Sequence, residues 1–105
     1  MYKQGDSVFQ VQGGLASGWL AWVGEVDQEI IKDSAGQPLS HCVVKFTGQM
    51  CDTGQGAPMS KVTTTTTHSL FPGGEKEAYM FLQKDSGTRW DEYTEHFEKV
   101  RGELR

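Results

Sequence analysis

The sequence predicts an α+β fold: a small, strongly bent antiparallel sheet or small barrel of four to five strands, followed by two C-terminal helices packed on it. The composition changes at 72–74, from glycines, threonines and β-branched runs to Glu, Lys, Arg and other helix formers. Apolar residues alternate before that point and recur every three or four positions after it. Because 105 residues suffice for one core, we expect a single domain, 1–105, with a β part at 1–71 and a helical part at 75–105.

Turn residues divide the β part into strands. The glycine-rich segment 13–18 follows the first apolar run, and 33–38 (Asp-Ser-Ala-Gly-Gln-Pro) is a strong loop signal. Gly54 and Gly56 indicate a flexible loop at 48–58. The predicted strands are 7–12, 19–26 with a continuation at 29–32 after a kink, 39–47 and 59–70.

Two of these strands have distinctive patterns. The strand at 39–47 alternates most clearly, with Cys42, Val44 and Phe46 on one face. The last strand contains five consecutive threonines at 63–67. Threonine is β-branched and suits a pleated surface with one polar face, so this run favours a half-solvated edge strand over a ligand-binding array of hydroxyls.

The longer predicted helix carries an apolar stripe with spacings of three and four residues. Thr88 is the expected N-cap, with Asp91 three residues later, and a shorter helix is expected at 75–84. The stripe either packs on the sheet of its own chain or meets the same stripe of a second copy in a homodimer, and burial alone does not choose between them. The stripe consists of Trp90, Tyr93, Phe97, Val100 and Leu104.

The charge of the chain limits its partners. A net charge of −4 and a pI near 5.2 argue against nucleic acid and against an anionic membrane surface. No apolar run approaches the roughly 20 residues that span a bilayer. The first residues are polar and show no secretory signal, so we expect a cytoplasmic protein.

The residues that catalysis would need are not found in a recognisable arrangement. None of the three histidines lies in a hydrolase motif, and no glycine-rich loop has the residues of a phosphate-binding loop. His41 and His68 suit neighbouring strands, but the sequence implies no third metal ligand. We therefore predict no catalytic residues, no metal and no cofactor, and we favour a protein that is not an enzyme.

The two cysteines are nine positions apart, and neither belongs to a Cys-x-x-Cys pair. Two reduced thiols, with Cys42 in a core strand, are the favoured interpretation. A disulfide between Cys42 and Cys51 is the alternative if the protein is exported.

Aromatic residues near the first two strands form a candidate binding surface. Tyr2, Phe9 and Trp19 suit a groove or cage for a peptide or cation. Trp19 and Trp22 are three apart and should point to opposite faces of a strand; we predict Trp22 in the core and Trp19 exposed. The alternative is that both rings are structural.

A Gly-Asp turn, two strands separated by glycines and a third strand form a short motif in the first half of the chain. Its residues are Lys3, Gly5, Asp6, Val8, Gly24, Val26, Val44, Lys45 and Phe46. With them, 2–26 and 43–46 resemble the opening of an SH3-like barrel of the Tudor and KOW sort. The resemblance implies recognition of peptides, nucleic acid or partner proteins rather than catalysis, and the acidity of this chain departs from the nucleic-acid-binding members.

Two hypotheses about function follow. The first is a non-enzymatic interaction module that binds a protein or peptide partner through the aromatic-lined barrel surface or the C-terminal helical face. The second is a small-molecule-binding protein or minor enzyme, expected to be oligomeric, with a pocket between barrel and helices.

Overall fold

The computed structural model describes residues 2–15, 18–53 and 55–103. Five antiparallel strands form one sheet, and two helices follow it, which confirms the predicted α+β arrangement. The order of strands in the sheet is β4-β3-β2-β1-β5. Within the described residues the sheet is not closed, so the barrel alternative is wrong and the bent sheet is correct. The elements are β1 Ser7–Leu15, β2 Gly18–Lys32, β3 Pro38–Cys51, β4 Gly56–Thr66, a 3₁₀ turn Thr67–Ser69, β5 Leu70–Pro72, α1 Glu75–Leu82 and α2 Ser86–Glu103.

The sheet bends because its two longest strands, β2 and β3, are interrupted by shifts of register. Shifts occur between Val23 and Gly24, and again between Val26 and Gln28. Such irregularities let a strand bend and re-aim its side chains. Gly24 is required at the first shift, since a Cβ there would lie 2.1 Å from the backbone oxygen of Lys45.

The bend gives the sheet a hydrophobic core on each face. The helix-side core lies beneath α1 and α2, and the inner core lies on the opposite face. Met59 of β4 and Leu70 of β5 contribute to the same inner core, so the two ends of the sheet curve towards each other. The helix-side core consists of Phe9, Val11, Trp19, Ala21, Val23, Phe71, Ala78, Phe81 and Leu82. The inner core consists of Val8, Val26, Cys42, Val44, Phe46 and Leu70.

The predicted flexible loop at 48–58 is wrong. The β3 strand continues to Cys51, and a short turn leads into β4, with the Cys51 amide donating to the Gln55 oxygen at 3.0 Å. The threonine run does form an edge strand, but only to Thr66. Thr67 is buried in the 3₁₀ turn, with its Oγ1 3.5 Å from Sγ of Cys42.

The start of α2 also differs from the prediction. The helix begins at Ser86, and its cap is Asp85 rather than Thr88. The Thr88 amide donates to Oδ1 of Asp85 at 3.0 Å, which is the usual N-cap bond. Leu104, at the end of the predicted stripe, lies outside the described residues. In the part of the chain that is described, neither helix has the length and apolar character needed to cross a membrane.

Candidate functional site

The predicted aromatic surface is mostly part of the two cores. Phe9 is 3% exposed and Trp19 is 8% exposed, whereas Trp22 is only partly buried. The prediction that Trp19 is the exposed ring and Trp22 the core ring is therefore wrong. The reason is the position of the helices: the Trp19 ring packs edge-on against Phe81 and Trp90, with centroids 6.3 and 6.2 Å away.

Gly13 makes room for this packing, since a Cβ at that position would lie 2.4 Å from Cζ3 of Trp19. Trp22 points to the other face of β2, where its ring lies 5.5 Å from that of Phe46. Because each indole packs on rings of its own chain, the alternative in which both are structural describes their contacts better.

Tyr2 closes one side of the inner core. Its hydroxyl donates to the backbone oxygen of Leu70 at 3.3 Å. Burial, then the nearby Cys42 thiol and the Asp6 carboxylate, raises the pKa of Tyr2 to about 12. The ring thus stays neutral at physiological pH and acts as a structural donor.

The aromatic stripe of α2 packs on its own chain. Val100 is buried, and Phe97 meets the His68 ring edge-on at 4.7 Å. Tyr93 lies 6.2 Å from Trp19 and 6.3 Å from Phe71. Trp90 is the exception, with 54% of its surface exposed.

Two residues of α2 that the sequence did not single out contribute to this docking. His96 stacks on Phe71 at 4.0 Å, and its Nε2 lies 2.7 Å from the Leu70 oxygen. Arg89 is 6% exposed and places its guanidinium 5.2 Å from the centre of Trp19. An arginine or histidine in an amphipathic helix is typical of a solvated face, so no local pattern distinguishes these two.

Arg89 also links α2 to the turn between β3 and β4. Its Nε donates to the backbone oxygen of Lys84 at 2.7 Å, and its Nη1 lies 3.7 Å from Oδ2 of Asp52. The backbone oxygen of Asp52 accepts a hydrogen bond of 3.2 Å from Nε2 of Gln83. The helices are therefore held to the sheet by polar contacts as well as by the aromatic core.

The titratable residues of the described ranges do not form a metal site. No group of three or more His, Cys, Asp or Glu residues there is placed to hold a metal ion. Burial, then Arg101 and His41, lowers the pKa of His68. This histidine packs edge-on against Phe97, and the groups that shift its pKa are cationic or imidazole side chains, so its described environment is that of a structural residue.

The two cysteines are free thiols. Both lie on β3, nine residues apart, so the strand separates them by about 30 Å and excludes a disulfide within the chain. Burial raises the pKa of Cys42. A hydrogen bond of 2.8 Å with Thr53 Oγ1 lowers the pKa of Cys51.

Three open clefts follow β3 past the start of α1, with volumes of about 320, 420 and 210 Å³. Their lining is polar or glycine-rich, and Glu75 and Thr47 belong to the first two. The charged residues around the first cleft are Glu25, Lys45 and Glu75. The clefts offer shallow surface rather than an enclosed site.

The β4 strand forms one edge of the sheet. It pairs with β3 along one side, and no described strand pairs with its other side. Most of its residues are exposed, including Val62 at 62%. The Lys61 ammonium lies 4.6 Å from the centre of the Trp22 ring, on the face of the inner core. No residue of β4 belongs to the helix-side core.

Comparison with known proteins gives no relative: no family model, no curated protein and no solved structure matches this chain. The resemblance to SH3-like barrels is therefore supported by no comparison, and the sheet of the described residues is not closed into the barrel that the resemblance implies.

Proposed function

We propose that this chain is a non-enzymatic interaction module that binds an extended segment of a protein partner along the free edge of β4. The observation that carries the proposal is an edge strand of 11 residues, Gly56–Thr66, which is paired on one side only among the described residues. Every second residue of such a strand directs its N–H and C=O groups outwards, where an added strand can bond to them.

The other end of the sheet is a weaker candidate for the same mode of binding. The β5 strand has three residues and ends at Pro72, which has no N–H to donate. In β4 the stretch 59–66 contains no proline, and threonine and valine fill half or more of it. It therefore offers an unbroken row of backbone groups.

The edge of β4 takes the place of the aromatic surface predicted from sequence. Phe9 and Trp19 are buried, so a partner reaches neither ring without opening the helix-side core. Trp90 is largely exposed, unlike the other described members of the α2 stripe, so that stripe offers a partner one large ring. For a small-molecule pocket, the clefts beside α1 in the described part of the chain are open and shallow, which makes this alternative the weaker one.

The proposed partner is a protein in a reducing compartment such as the cytoplasm. The net charge of −4 disfavours nucleic acid. Two free thiols on one strand favour a reducing setting.

A pair of neighbouring proline variants tests the proposal. N–H groups of adjacent residues in an antiparallel strand point to opposite sides, so in Thr63→Pro and Thr64→Pro one variant loses a bond to β3 and the other loses an outward donor. The probe is the capped heptapeptide Ser-Thr-Val-Gln-Val-Thr-Ser, with its binding followed by NMR shifts of the backbone amides. We expect shifts at 59–66 in the wild type.

Of the two variants, the one that keeps wild-type thermal stability should lose peptide binding, because only its outward donor is gone. Its matched control is Thr94→Ala on the exposed face of α2, which should bind like the wild type. Peptide shifts clustered at Trp90 or at the clefts beside α1, or shifts at β4 that both proline variants retain, would contradict the proposal.

A further inference from the structure

We infer that the segment bound at β4 carries an acidic residue directly beside an apolar one, the acidic side chain facing Lys61 and the apolar one facing Val62. The inference rests on the proposed function and adds the chemistry of the partner. It derives from charge and from the alternation of side chains along an edge strand.

The hairpin that ends in β4 differs in charge from the chain as a whole. The chain carries −4, but residues 38–66 contain two lysines, Lys45 and Lys61, against a single acidic residue, Asp52. The β4 strand itself holds Lys61 and no acidic residue. Glu25 of β2 lies opposite Lys45, so the attraction of this edge for an acidic segment comes from Lys61, while the remainder of the acidic surface repels such a segment elsewhere.

The positions of Lys61 and Val62 indicate how acidic and apolar residues are arranged in the bound segment. Being consecutive in a strand, they project from opposite faces of the sheet. Lys61 lies on the inner-core face beside Trp22, and Val62 lies opposite Lys45 on the other face of the sheet. Two consecutive residues of an added strand would contact this pair, one on each face of the sheet. The partner therefore needs an acidic residue on the face of Lys61 and, next to it in sequence, an apolar residue on the face of Val62.

A second copy of this chain is a poor occupant of the same edge. Lys61 is the middle residue of Gly56–Thr66, so full-length antiparallel pairing of two β4 strands would set Lys61 directly opposite Lys61 of the other copy. Like charges directly opposite each other destabilise a sheet. Both copies also carry −4, which adds a general repulsion.

The experiment compares three probe peptides that differ only at their central residue: Ser-Thr-Val-Glu-Val-Thr-Ser, the Gln form used above, and a Lys form. We expect the Glu form to bind most tightly and the Lys form most weakly, with about fivefold or more between them at low salt and less at high salt. In Lys61→Glu the order should invert, and in Lys61→Arg it should persist. Lys76→Glu, an exposed position on α1, makes the same change of net charge and should leave the order intact.

The outcomes separate this inference from the proposed function. Equal binding of all three peptides at β4, or an order that Lys61→Glu leaves unchanged, would overturn the acidic partner and leave strand addition standing. No binding of any peptide at β4 would overturn both. A concentration-dependent dimer of the wild type in sedimentation, lost in Thr63→Pro or Thr64→Pro, would show that the second copy is the occupant and would overturn the acidic partner.

Discussion

The helix-covered side of the sheet and its β4 edge are built from opposite kinds of residue. On the covered side, Trp19 and Phe71 pack ring against ring with Phe81 of α1, and the buried Arg89 donates to the Lys84 backbone and forms an ion pair with Asp52. At the edge, small β-branched side chains face solvent and the backbone has one neighbour. Large rings stabilise a fold by removing their surface from water, whereas an exposed strand edge adds little to stability and remains able to bind.

This difference separates the parts that hold the fold from the part that we expect to interact. Residues whose loss unfolds the chain should lie on the covered side and at the register shifts between β2 and β3. Residues whose loss changes binding should lie on β4. Substitutions matched across the two regions test this separation.

The largest effect is expected from removing a buried ring. Trp19→Ala should lower the free energy of unfolding by about 3–5 kcal/mol, because the cavity lies where both helices meet the sheet. Val62→Ala, at a residue that is 62% exposed, should change it by less than about 0.5 kcal/mol. Urea denaturation of both variants measures the contrast, and similar losses would mean that β4 is part of the stabilising core.

A smaller loss of stability is expected from adding a side chain at Gly24, where the backbone of β3 lies close to β2. Gly24→Ala should cost about 1–3 kcal/mol, because the new Cβ meets backbone and cannot be relieved by a side-chain rotation. Gly102→Ala is the control: its Cβ would meet nothing within 4 Å and it lies in α2, so up to about 1 kcal/mol of stabilisation is expected. An unchanged melting temperature in Gly24→Ala would contradict the close approach of the Lys45 backbone to Gly24.

The smallest effect is a pH dependence where the 3₁₀ turn meets α2. The pKa of His68 is lowered in the folded chain, so below the ordinary value of about 6.5 the unfolded chain binds more protons. The contribution of His68 to the free energy of unfolding is therefore complete above that pH. It is lost as the pH falls towards the lowered pKa that His68 has in the folded chain. Urea denaturation above and below a pH of about 6.5 should show that the free energy of unfolding falls more steeply with acid in the wild type than in His68→Gln. Parallel curves would place His68 outside the packed contact with Phe97.

Much of the fold could be predicted because periodicity reports burial directly. The alternation of Cys42, Val44 and Phe46 corresponds to a buried face, and the stripe from Tyr93 to Val100 corresponds to a buried or partly buried one, with Trp90 exposed at its start. The loop predicted at 48–58 failed because glycines were taken to end β3, whereas Gly48 is buried within the strand. A single glycine in a strand signals either a turn or a close approach, and only the neighbouring strand decides which.

The site was less predictable, because exposure depends on packing partners distant in sequence. Trp19 and Trp22 are equivalent on β2 by pattern, and the helices, more than 50 residues later, decide which of them is covered. The edge position of β4 was anticipated from its threonines. The importance of Arg89 had no local signal, since its partners Asp52 and Trp19 lie in other elements.

The most direct test of the central claim is an isotope-edited NMR measurement of contacts between the Glu-containing heptapeptide and the wild-type chain. Strand addition at β4 predicts backbone contacts from the peptide to 59–66, regularly spaced by two residues, with the peptide Glu nearest Lys61. Peptide contacts confined to Trp90 on α2 or to the clefts beside Glu75 would contradict the account.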